Sequence, residues 1–184
     1  MQSGGPVVSD DVRRRRFERL ALPHLDAAFR LARWLAGNAE DAGDVVQDAY
    51  LRAFRYFDTL RGDDARVWLL AIVRTSFVTW AQRNRSARMV FTDEAMEAEP
   101  LWTAPEPDPE QALLRRIDSA TLEGLIAKLP AEYRTALLLR EVEDLSYREI
   151  AAVTGVPEGT VMSRLARARV QLRRLWAEAG GDEV

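Results

Sequence analysis

The stretch Leu145 to Arg169, "LSYREIAAVTGVPEGTVMSRLARAR", decides how the rest of the chain is read. Ser146 followed three residues later by Glu149 is a capping box, in which hydroxyl and carboxylate each satisfy a backbone N–H that a helix start leaves without a partner. Leu145 and Ile150 are placed for the accompanying hydrophobic staple. Ala151 is small where a second helix could cross closely, Gly155 supplies a turn, and Pro157 suits the start of a new helix that buries Val161 and Leu165. The pattern predicts a helix-turn-helix. Such a corner alone is a weak signal, because small helical proteins turn corners this way routinely. The second helix adds Thr160, Ser163, Arg164 and Arg167 at spacings of three and four, on a side away from Val161, Leu165 and Ala168. Arg164, Arg167, Arg169, Arg173 and Arg174 stand there with almost no acid between Thr160 and Trp176. An ordinary solvated face mixes signs, whereas a helix that enters the DNA major groove needs this composition. Its first turn offers backbone N–H groups and hydroxyls to phosphate, and Arg164 or Arg167 offers a guanidinium fork to guanine.

The whole chain is acidic, with a formal net charge of −3 over 184 residues, so polyanion binding must be local and not a matter of bulk charge. It has 47% hydrophobic and 30% charged residues, a length fit for one medium or two small domains, and no cysteine, which excludes disulfides and thiolate metal sites. No apolar run has signal-peptide or membrane-span form, which points to a cytoplasmic protein without direct membrane insertion.

Residues 87–111 read as a linker. Pro100, Pro105, Pro107 and Pro109 oppose helix, and seven acids face the single Arg88. Phe91, Leu101 and Trp102 leave a docking role open beside that of a solvated spacer. On either side the periodicity is helical. Leu25, Ala28, Phe29, Ala32 and Leu35 mark one amphipathic helix, stopped by Gly37 and Asn38; Val46, Ala49, Tyr50, Ala53, Phe54 and Phe57 mark the next. A third apolar stretch runs from the break at Gly62 to Arg85. Further helices are expected over Glu110 to Lys128 and Ala131 to about Glu143. The expected architecture is all-α: a tail at 1–12 without order, a helical domain at 13–86, the acidic linker at 87–111, a helix-turn-helix domain at 112–178 and a tail at 179–184.

Leu129 to Leu175 resembles the promoter-reading C-terminal domain of bacterial RNA polymerase sigma factors of the extracytoplasmic-function group, and "LPHLDAAFRLARWLAGNAEDAGDVVQDAYLRAFRYF", Leu22 to Phe57, resembles their N-terminal conserved domain. Two matching halves in the correct order are far more specific than either alone. The resemblance implies a protein without catalysis that binds core RNA polymerase and promoter DNA, is often held by an anti-sigma factor, and takes no cofactor, metal or small-molecule substrate. It implies a polymerase-binding face of Asp44, Gln47, Asp48 and Leu51. It implies minus-35 contacts from Ser146, Tyr147, Gly159, Thr160, Met162, Ser163, Arg164 and Arg167. For the minus-10 element it implies Arg66, Arg74, Thr75, Ser76, Trp80 and Arg83, with a base-capturing loop beginning near Arg74 to Ser76. Thr75 stands where many relatives carry asparagine. Trp68 is expected in the core, since aromatics at helical spacing more often pack than stack on bases.

Two other classes fit less well. A stand-alone helix-turn-helix repressor leaves the acidic linker and the "DVVQDAYL" helix without a role. A carboxylate-metal enzyme built on Glu40, Asp41, Asp44 and Asp48 lacks the Glu-x-x-His pairs such sites use, the single His24 being remote from them.

Overall fold

The computed structural model describes residues 7–62, 64–88 and 121–179, which form two compact units. Every regular element among them is helical. The first unit contains α1 (Val7–Ala21), α2 (Leu25–Ala36), α3 (Ala39–Arg55) and α4 (Arg66–Arg88), with short 3-10 turns at Leu22–His24 and Phe57–Thr59. Residues 121–179 form α5 (described over 121–127), α6 (Ala131–Glu141), α7 (Tyr147–Thr154) and α8 (Glu158–Glu178), of which α6 and α8 lie wholly in the second unit.

α1 begins at Val7, inside the segment expected to lack order, and its hold on the unit is aromatic and cationic. Phe17 is buried with its ring edge-on to Phe54 at 5.2 Å, Phe57 at 5.3 Å and Tyr50 at 6.2 Å. Arg13 donates to the carbonyls of Phe54 at 2.7 Å and Arg55 at 3.3 Å, covering the C-terminal end of α3, and its guanidinium lies 4.8 Å from the centre of the Phe54 ring. Arg16 sits over Phe57 at 5.6 Å. Cations at a helix C-terminus and over aromatic faces are both favourable.

The core of this unit comes from Ala28, Leu31, Ala32 and Leu35 of α2, Ala42, Val45, Ala49 and Ala53 of α3, and Leu69, Leu70 and Val73 of α4. The expected stripes hold at Ala28, Ala32, Leu35, Val46, Ala49, Ala53 and Phe57 and differ at their edges. Leu25 and Phe29 are exposed and Ala27 and Leu31 are buried in their stead; Phe54 is exposed and Val45 is fully buried. Small alanines let α2 and α3 approach closely, and burial then follows backbone proximity more than side-chain size. α2 ends where Gly37, at φ 87°, donates its N–H to Arg33 O at 2.8 Å. α3 starts on Asn38, whose Oδ1 accepts from Asp41 N at 2.8 Å.

In the second unit the capping box is closed in both directions. Ser146 N and Oγ donate to Glu149 Oε2 at 2.7 and 2.6 Å, and Glu149 N donates to Ser146 Oγ at 3.3 Å. Leu145 and Ile150 are both buried beneath it. Gly155, at φ 70°, makes the turn, and Pro157 O accepts the first N–H bonds of α8 from Thr160 and Val161. The C-terminal half of α8 is anchored by Ala168, packed with Leu129 and Leu137 and joined by Tyr133, Leu172 and Leu175. The expected linker lies outside the described residues beyond Arg88, as does the part of the helix expected over 110–120.

Phe17→Ala should lower stability by about 3–5 kcal/mol in denaturant unfolding, and Ser146→Ala by about 1 kcal/mol. Tyr50 donates its hydroxyl to Ala21 O at 3.0 Å, and burial, aided by nearby Asp26, pushes its pKa up to about 12. The unfolded phenol ionises near its ordinary value of about 10, so the unfolded state releases its proton first and stability falls as pH rises from there through the folded value. Tyr50→Phe should flatten that fall, read by unfolding midpoints across alkaline pH.

Candidate functional site

α8 presents the candidate nucleic-acid face. Val161, Leu165 and Ala168 are fully buried, which fixes the rotation of the helix about its axis. At about 100° per residue, the side opposite that stripe carries Gly159, Ser163, Ala166, Arg167 and Val170, all exposed. Thr160 and Arg164 lie on the flank and are half-buried, and Met162 lies on the other flank, exposed. Ser163 Oγ donates back to Thr160 O at 2.9 Å. Of the sequence-predicted minus-35 residues, the helix therefore gathers Gly159, Met162, Ser163 and Arg167 outward and sets Thr160 and Arg164 at the margin. Ser146 and Tyr147 belong to the start of α7. The Ser146 hydroxyl is engaged in the cap, and the Tyr147 ring lies under Arg140 at 5.7 Å. The same side also carries Ala166 and Val170, which the spacing of the polar residues does not single out but a helical wheel centred on the buried stripe does.

The five arginines of α8 are not all unopposed. Arg169 donates to Glu141 of α6 at 2.9 Å, and that hydrogen bond holds its guanidinium above the ordinary range. Arg174 pairs with Glu178 at 2.7 Å. Among the described residues Arg164 and Arg167 have no acidic partner, and Arg173 reaches only the carbonyl of Arg169 at 3.4 Å. The long-range acid Glu141 lies 28 residues before Arg169, which is why a reading confined to α8 overlooked it.

On α3, Asp44, Gln47 and Leu51 are exposed, with Leu51 at 65%, and Asp48 is half-buried beside them. Leu51 is an exposed leucine beside polar groups, with Phe54 three residues on also exposed. The Asp48 carboxylate is held by Arg52 at 2.8 Å, and Asp41 is committed to the Asn38 cap. Among the described residues no group of three or more His, Cys, Asp or Glu side chains could hold a metal ion.

The predicted minus-10 set does not form one surface. α4 runs unbroken from Arg66 to Arg88, so no loop begins at Arg74 to Ser76. Successive side chains there point about 100° apart: Thr75 is exposed, Arg74 half-buried, and Ser76 buried at 0%. Ser76 is corrected from a contact residue to a core one, its Oγ having no hydrogen-bond partner among the described residues. Trp80 is half-buried on the core side, stacked with Phe77 at 5.9 Å. Arg66 is half-buried at the start of the helix, its N–H capped by Asp64 at 3.1 Å, and Arg83 is exposed. Trp68 is half-buried, edge-on to Phe57 at 6.3 Å, with its Nε1 donating to Thr59 Oγ1 at 3.4 Å.

Residues 20–87 match the family model of Sigma-70 region 2, and residues 119–172 that of Sigma-70 region 4. The chain is 35% identical over 166 residues to the ECF RNA polymerase sigma factor SigE of Mycolicibacterium smegmatis, covering 90% of this chain and 63% of that protein. It is 36% identical over 162 residues to the RNA polymerase sigma-H factor of Pseudomonas aeruginosa, covering 85% and 83%. Its structure is similar to that of the sigma factor RpoE solved with the anti-sigma factor NepR from Bartonella quintana, with a TM-score of 0.71, 26% identity, and 88% and 96% of the two chains covered. It is also similar to CnrH solved with the cytosolic domain of CnrY, with a TM-score of 0.62, 25% identity and 90% of each chain covered. The chain belongs to the sigma-70 family of RNA polymerase sigma factors, in its extracytoplasmic-function group.

Proposed function

We propose that this chain acts in the cytoplasm as a non-catalytic initiation subunit: it binds core RNA polymerase through α3, engages the minus-10 element through α4, and reads the minus-35 element through α8. The observation that carries the reading is the outward face of α8, where Ser163 and Arg167 stand exposed opposite a fully buried apolar stripe. A guanidinium without an acidic partner is available for a base edge or a phosphate, whereas Arg169 and Arg174 first have to leave Glu141 and Glu178. Arg167 is therefore the base reader, with Arg164 supporting it from the flank. The polymerase face is assigned to Asp44, Gln47, Asp48 and Leu51, since an exposed leucine among polar groups has the make-up of an interface centre with a polar rim. For the minus-10 element the assignment keeps Arg66, Arg74, Thr75 and Arg83. The similar structures solved with anti-sigma factors support an inhibitor as a further partner of this chain.

In vitro transcription with bacterial core polymerase and a promoter library tests the reading: the chain should confer start-site selection that core alone lacks. Arg167→Ala should cost about 1–3 kcal/mol at one minus-35 position and relax its base preference, while Arg173→Ala should weaken all promoters alike. Asp44→Arg should reduce capture of core polymerase in a pull-down with the circular dichroism spectrum unchanged, because Asp44 is exposed and makes no ion pair among the described residues.

A further inference from the structure

α8 carries an apolar feature that its packing does not use. Met162 is 55% exposed and Val170 62%, while the buried stripe beside them, Val161, Leu165 and Ala168, is already closed off from solvent. Ala166 lies between the two and is also exposed, so residues 162, 166 and 170 continue one another at spacings of four along an otherwise basic helix. A single exposed apolar side chain is unremarkable on any surface. A run of three, beginning in the first turns of the helix and bordering Ser163 and Arg167, is a surface with a direction. At Gly159, one turn before Ser163, no described residue lies within 4 Å of the position a Cβ would take, so the start of this face is open.

Only one base displays an apolar group in the major groove, the C5-methyl of thymine. Resting on the assignment of α8 as the minus-35 reader, we propose that Met162 and Ala166 form a methyl-reading surface that selects thymine at one or two positions next to the base read by Arg167. Four residues of helix advance by about 6 Å, and stacked base pairs by about 3.4 Å each, so the pair spans roughly two steps of duplex. Met162 is unbranched and its thioether is polarizable, which lets it settle on a methyl group without a fixed rotamer. Ala166 admits a methyl close to the backbone.

The test uses holoenzyme assembled from the full chain and bacterial core polymerase. A minus-35 element is selected from a randomised library, and each of its thymines is then replaced singly by deoxyuridine, which differs only by the missing methyl. At one or two positions binding should weaken about fourfold, the value of one buried methyl-sized group. Met162→Ser should remove the thymine-over-uridine preference at one of them and leave the guanine preference intact, and Arg167→Ala should do the reverse. Selection of an element without thymine, equal binding of uridine and thymine throughout, or full discrimination by the Met162→Ser holoenzyme overturns the proposal while leaving α8 as the reader. A holoenzyme that selects no minus-35 element, and is indifferent to Arg167→Ala, overturns the role of α8 and the methyl surface together. Met162 is a surface residue, so the variant folds.

Discussion

The rotation of α8 about its own axis is the constraint on which the functional surface depends. Val161, Leu165 and Ala168 are each at most 1% exposed, and Ala168 in the second half of the helix packs with Leu129 and Leu137. A helix so anchored cannot turn by one residue without pulling this stripe into water, at roughly 1.5–3 kcal/mol for each larger side chain. The same anchoring decides that Ser163 and Arg167 face outward and that Thr160 and Arg164 stand at the edge. Binding chemistry on this helix is thus a by-product of packing: the core chooses which polar residues are offered, and the reciprocal cap at Ser146 and Glu149 sets where the preceding helix starts.

The first unit handles charge by a different logic. The run Arg13 to Arg16 would pass in sequence for a polyanion patch, yet two of its four guanidiniums are turned toward the protein. Arg13 covers the end of α3 and lies on Phe54, and Arg16 lies on Phe57. On α3, by contrast, the acids sit on the outer face, with Asp48 steadied by Arg52. Two basic groups here serve the packing of the unit, whereas on α8 Arg167 is left exposed without an acidic partner among the described residues. A sum over the sequence hides that division.

The helix-turn-helix was legible because its signals are local. A serine three residues before a glutamate, a glycine needing positive φ and a proline at a helix start each act within a few bonds of where they stand. The helical class and the family were legible for the same reason on a larger scale. What escaped was long-range. The Arg169 to Glu141 pair joins residues from different helices. Ser76 entered as a contact residue through the resemblance, as part of a base-capturing loop, whereas α4 continues through it as helix and turns its side chain inward. α2 and α3 are rich in alanine, which fits core or surface equally, so the spacing alone does not distinguish Leu25 and Phe29, which are exposed, from Ala27 and Leu31, which are buried. α1 went unread because its hydrophobic content is low and its attachment rests on Phe17 and two arginines.

That attachment sets how ragged the beginning of the folded unit can be. Among the described residues, Asp10, Asp11 and Val12 form no hydrogen bond or ion pair outside their own helix, while Arg13 reaches α3. Cleavage after Val12 would leave in place the hydrogen bonds of Arg13 and the ring contacts of Phe17. One residue further strips the lid from the last carbonyls of α3, and loss of Phe17 would open the aromatic cluster to solvent.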